Sequence, residues 1–141
     1  MNQLDDVFDI LEKDESFKSV MKRMLKYSLE MSFNGIVVTT AQPGYPILYA
    51  NSAFLDMTGY AADEVIGQSP AILQGPLTDP EVLGRLRRDI ENDEIFHGRA
   101  INYRKDGSTF LMEWKIVPIR NPEGVTTHFL AIQKDATGNK T

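Results

Sequence analysis

The sequence predicts an α+β architecture, an antiparallel five-stranded sheet with helices gathered on one face. Three observations lead there. Apolar residues near the start recur at helical spacing, the period shortens to that of a strand from Ile36, and three alternating segments separated by turn residues follow Gly98.

Leu4, Val7, Phe8 and Leu11 mark a first helix, and Lys13-Asp14-Glu15 interrupts it. Ser16 is read as opening a second helix, with Phe17, Val20, Met21, Met24, Leu25 and Ser28 on one stripe, and Asn34-Gly35 closes this segment. Ile36 to Thr40 and Ile47 to Ala50 read as strands joined by the turn residues 41–46. From Ser52 to Gly75, short helical pieces are broken by Gly59, Gly67, Pro70 and Gly75. A longer helix follows, with Asp79 as N-cap, Pro80 in its first position, and Val82, Leu83, Leu86 and Ile90 as a buried stripe. The last strands are Gly98 to Arg104, Thr109 to Ile119 and Thr126 to Asp135, turned by Asp106-Gly107 and by residues 121–124. This divides the chain into a helical cap and dimerisation segment (1–33), a core (34–137) and a tail (138–141).

Alternation assigns the two sheet faces. One carries Phe110, Met112, Trp114, Ile116, Phe129, Ala131 and Gln133, with Asn102 beside them. An apolar face with two amides set into it suits a flat ligand with polar edges. The other carries Ile101, Tyr103, Leu111, Val117, Leu130 and Ile132, and reads as too apolar to stay wet. The N-terminal helices or a partner chain are expected to cover it. The methionine-bearing stripe of the second helix predicts a parallel homodimer through those helices.

Composition narrows the function. A net charge of −5 argues against nucleic acid, and the cluster Arg85, Arg87, Arg88 is followed at once by acidic residues. There are no cysteines, so disulfides, thiolate metal sites and cysteine nucleophiles are excluded together. His97 and His128 lie far apart with no ligand spacing around them, so no metal site is expected. Ser52 and Ser108 have no histidine within their motifs, and no glycine-rich phosphate loop follows a strand, so the expectation is a non-enzyme. No apolar stretch reaches the ~20 residues that span a bilayer, and the acidic start is unlike a secretory signal, so a cytoplasmic location without membrane contact is expected.

Five motifs in order carry a family resemblance. They are Tyr49-Ala50-Asn51-Ser52-Ala53-Phe54, Met57-Thr58-Gly59-Tyr60, Gly67 with Leu73-Gln74-Gly75-Pro76, Asn102-Tyr103-Arg104-Lys105-Asp106-Gly107, and Phe129-Leu130-Ala131-Ile132-Gln133. Residues 34–137 resemble a PAS domain, and within that superfamily the light-oxygen-voltage (LOV) branch. The resemblance implies the PAS fold with an N-terminal helical cap and an isoalloxazine pocket. In it Gln74, Asn102 and Gln133 would hydrogen-bond a flavin. Leu73, Leu83, Leu86, Trp114, Ile116 and Phe129 would wall its ring, and Arg87 would meet a phosphate.

The departures are as informative. The family places its reactive cysteine in Gly-Arg-Asn-Cys-Arg-Phe-Leu-Gln, whereas this chain reads Gly67-Gln68-Ser69-Pro70-Ala71-Ile72-Leu73-Gln74. Pro70 takes the cysteine position, Ala71 replaces a phosphate-binding arginine, and Met112 stands where a second asparagine is expected. The reading that follows is a flavin-binding sensor of light or redox state, holding FMN, that cannot form a cysteinyl adduct. Its signal would run through flavin redox state and hydrogen-bond changes to a downstream effector that the sequence does not name. Two alternatives stand beside it. The Gly-x-x-Pro-x-x-Leu pattern is similar to FAD-binding, redox-sensing PAS domains, and a cofactor-free PAS module serving dimerisation is the third reading. A stand-alone sensor and a piece of a longer signalling protein both stay open.

Overall fold

The computed structural model describes residues 2–138, so the expected tail lies, beyond Gly138, outside the described residues. The chain divides into two compact units, one ending at Ser32 and one beginning at Phe33. The first holds α1 (Gln3–Leu11) and α2 (Glu15–Glu30). Asn2 caps α1 by accepting from Asp5 N–H at 2.9 Å. Asp14, not Ser16, opens α2: its carboxylate accepts from the Ser16 N–H at 3.0 Å, which satisfies one of the free donors of the first turn. No residue of α2 is buried, and Val20, Met24 and Leu25 are each exposed by about half.

The second unit runs β1 (Gly35–Thr40), β2 (Ile47–Ala50), α3 (Ser52–Thr58), α4 (Ala62–Val65), a 3-10 turn (Pro70–Leu73), α5 (Pro80–Glu91), β3 (Phe96–Tyr103), β4 (Thr109–Arg120) and β5 (Thr126–Asp135). The strands form one antiparallel sheet in the order β2-β1-β5-β4-β3, the α+β arrangement expected from the sequence. Chain entry and exit are fastened together, since β1 pairs with β5 in the register Gly35↔Gln133 and Val37↔Ala131.

Asn51 knots three elements. Its side-chain oxygen accepts from Ile36 N–H at 2.8 Å and from Phe54 N–H at 3.1 Å, and its amide nitrogen donates to the Asn34 carbonyl at 3.0 Å. It thus caps α3 while tying the start of β1 to the end of β2. Below this knot the core is filled by Val37, Ile47, Phe54, Val65, Leu73, Phe96 and Phe110, all essentially inaccessible to water.

The faces correct two expectations. The outward face is not simply apolar. Arg99, Glu113 and Lys134 stand in register across β3, β4 and β5, with His97 beside them. The His97 ring nitrogen, 2.7 Å from the carboxylate, is the chief cause that holds Glu113 down at about 2. Arg99 at 3.0 Å and Lys134 at 3.7 Å act in the same direction against the opposing effect of burial. Tyr103, expected to need cover there, instead packs its ring on Gly75 and accepts from the Leu77 N–H at 2.9 Å. It can do so because β3 is an edge strand. A Cβ at position 75 would fall inside that ring, so glycine is required by close approach and not by backbone angle.

Among the described residues no helix is long and apolar enough to cross a membrane, and no cluster of three or more His, Asp or Glu could hold a metal ion.

Candidate functional site

The inner face of the sheet, the 3-10 turn and α5 enclose a cavity of about 380 Å³. Each wall follows from local sequence. The strands supply every second residue: Val37 and Thr39 from β1, Asn102 from β3, Met112, Trp114 and Ile116 from β4, and Phe129, Ala131 and Gln133 from β5. Asp79 caps α5 by accepting from Glu81 N–H at 2.9 Å, and Pro80 takes its first position. That start turns Leu83, Leu86, Arg87, Ile90 and Glu91 to the cavity. The stripe Val82, Leu83, Leu86 and Ile90 is half-buried and not buried as expected, because three of its four members line this space.

The 3-10 turn closes the remaining side with Ser69, Pro70, Ala71, Leu73 and Gln74. Ser69 caps it by accepting from Ala71 N–H at 3.1 Å. Pro70 sits at its first position, where the missing N–H costs nothing and φ is already set.

All twelve residues singled out from the sequence line this one cavity: Pro70, Leu73, Gln74, Leu83, Leu86, Arg87, Asn102, Met112, Trp114, Ile116, Phe129 and Gln133. They do not share one environment. Asn102 and Gln133 are 2% and 4% exposed, Leu73, Met112, Trp114 and Phe129 are buried too, while Gln74 and Arg87 are exposed at the rim. The Asn102 amide donates to the Ala100 carbonyl over a long 3.4 Å. The side-chain oxygen of Gln133 is buried without any hydrogen-bond partner, and so is the hydroxyl of Thr39. A buried acceptor left unpaired costs about 1–3 kcal/mol, so these atoms are suited to a ligand that supplies donors.

Two lining residues had little signal in the sequence. Tyr45 lies in the β1–β2 loop with φ 51°, a left-handed backbone that periodicity does not reveal, and its ring meets Phe129 edge-to-face at 5.6 Å. Thr39 belongs to a strand buried almost without alternation, so its inward hydroxyl was hidden among apolar neighbours.

Gln133 also lines a second, more open hollow of about 600 Å³, together with Phe33, Asn34, Gly35, Ala53, Asp56, Met57, Arg104, Lys134 and Asp135. The Arg104 guanidinium spans its rim, donating to the Met57 carbonyl at 3.1 Å and pairing with Asp135 at 2.9 Å.

Comparison with known proteins places this geometry. A family model described as PAS domain matches residues 34–138. The blue-light-activated histidine kinase 1 of Erythrobacter litoralis is 41% identical over 96 residues, 68% of this chain and 27% of that protein. Phototropin-1A of Oryza sativa subsp. japonica is 35% identical over 102 residues, 72% of this chain and 11% of that protein. The chain therefore spans only a small part of these relatives. A solved light-oxygen-voltage domain studied with a flavin analogue superposes with TM-score 0.75 at 37% identity, covering 79% of this chain and 84% of that one. Over residues 34–138 the chain belongs to the PAS domain family, and light-oxygen-voltage domains are among its homologues.

Proposed function

We propose that this chain is a flavin-holding sensory domain that answers light or redox state without a thiol, and that its ligand is FMN. The observation that carries the reading is the partnerless side-chain oxygen of Gln133, 4% exposed in an apolar cavity. An isoalloxazine has an apolar dimethylbenzene end and a polar edge with donors and acceptors. Leu73, Trp114, Ile116 and Phe129 fit the first, and Asn102, Gln133 and Thr39 fit the second. A bound flavin supplies blue-light absorption and one- or two-electron redox chemistry.

The protein's own part is positional. Trp114, Phe129 and Leu73 keep water from the ring. The Gln133 amide offers an oxygen in one orientation and an N–H₂ in the other, so it can follow a ring edge that alternates between donor and acceptor. Gln133 lines the second hollow as well, and a turned amide presents a different group there. The role proposed for this arrangement is sensing and not turnover.

The test is the pigment. The purified chain is expected to be yellow and to fluoresce green, with FMN as the mass released on denaturation. FAD in its place would favour the redox-sensing alternative, and a colourless protein after flavin supplementation would favour the cofactor-free module. Gln133→Leu removes the ring-edge partner and is expected to shift flavin emission by several nanometres. An unchanged spectrum at full occupancy takes Gln133 out of the site.

The partner we propose is a second copy of the chain, joined through α2. Val20, Met24 and Leu25 lie on one stripe and are 49%, 55% and 59% exposed. Light scattering on the full chain and on one beginning at Ser32 is expected to show a dimer and a monomer, respectively. Two monomers at tens of micromolar overturn this.

A further inference from the structure

The charges that line the cavity cancel. Among the described residues around it, Arg87 is the one cation and Glu91 the one anion. They stand one turn apart on α5, and both are exposed. The 3-10 turn contributes Ser69, Pro70 and Ala71, none of them charged. Arg85 is engaged elsewhere, donating to the His97 carbonyl at 2.6 Å and lying 5.1 Å over the Phe96 ring. The polar groups deeper in, Asn102, Gln133 and Thr39, are neutral and almost wholly buried.

We infer that this site selects its ligand by the ring and takes little from a phosphate on the tail, so that riboflavin binds nearly as well as FMN. The inference rests on the flavin reading proposed above. An exposed ion pair in water is worth at most ~5-fold in affinity. A phosphate drawn to Arg87 also comes within one helical turn of Glu91, and like-charge repulsion at that spacing removes a comparable amount. The buried end works in the other direction. A ligand that fails to satisfy the Gln133 oxygen leaves a desolvated acceptor unpaired, which is the costlier fault.

The full chain, freed of bound flavin, is titrated separately with riboflavin and FMN at 0.15 M salt, following ligand fluorescence. The expected ratio of the two dissociation constants is below tenfold. Glu91→Gln is expected to shift the ratio of the two dissociation constants ~2-fold in favour of FMN, since it removes the repulsion. Ala71→Arg adds an exposed cation beside the cavity and is expected to shift the same ratio several-fold in favour of FMN. FMN bound tenfold or more tightly than riboflavin by the unaltered chain overturns the inference, as does a ratio that neither variant moves. If neither compound binds, the flavin reading itself has failed and the inference falls with it.

Discussion

Blue light is expected to leave the absorption band of the flavin-loaded chain in place. The band bleaches in a thiol-dependent photocycle because a cysteine bonds to the ring, and this chain has no cysteine anywhere. Pro70, which the family resemblance sets at the thiol's position, is the first residue of the 3-10 turn and lines the cavity. The check is absorption under continuous illumination with no added electron donor. Bleaching that recovers in the dark under those conditions would overturn it. The converse variant is informative. Ser69 and not Pro70 supplies the cap that starts the turn, so a replaced proline leaves that hydrogen bond intact. Pro70→Cys is therefore expected to place a thiol on the cavity wall and to make the band bleach reversibly. If it stays intact in a fully loaded variant, the ring lies farther from this wall than the cavity geometry implies.

The largest expected effect on stability belongs to Asn51. Alanine there removes the α3 cap and takes the side-chain acceptor from the Ile36 N–H, at a position where Asn51 is only 2% exposed. A lost cap costs about 1 kcal/mol. Each unsatisfied buried group adds ~1–3 kcal/mol. Asn51→Ala is thus expected to lower stability by ~2–4 kcal/mol, and thermal unfolding by ~6 °C or more in a chain of this size. Asn51→Asp keeps the acceptor for both N–H groups and is expected to lose less. A melting point for the alanine variant within two degrees of the parent would mean that the knot is not a stability determinant.

The fold was legible because each strand announces itself twice, by alternation and by the turn after it. Asp106-Gly107 is an example: Gly107 takes φ 87° and the Asp106 carboxylate accepts from the Ser108 N–H at 2.9 Å. The inner face could be read as far as Gln133 for the same reason. What escaped the sequence depends on contacts between elements. Half-burial of the α5 stripe reflects the cavity it faces, and Tyr103 leaves the outer face only because its strand is an edge. The pairing of Glu113 with Arg99, Lys134 and His97 requires the register across three strands, which residue spacing within any one of them does not contain. Tyr45 enters the cavity through a left-handed backbone that most side chains avoid.

The sheet order also dictates when this molecule can exist during synthesis. The strand made last, β5, is the middle one, so β2–β1 and β4–β3 are complete two-stranded ribbons with nothing between them until Thr126–Asp135 has left the ribosome. Ribbons of two strands are marginal in water, and each exposes its inner apolar face meanwhile. A nascent chain stalled at Arg120 is thus expected to be protease-sensitive throughout, with protection of β1 and β4 arriving in one step as β5 inserts. Few shorter products would survive, since the closing strand carries Phe129, Ala131 and Gln133 into the cavity at the same moment that it completes the sheet.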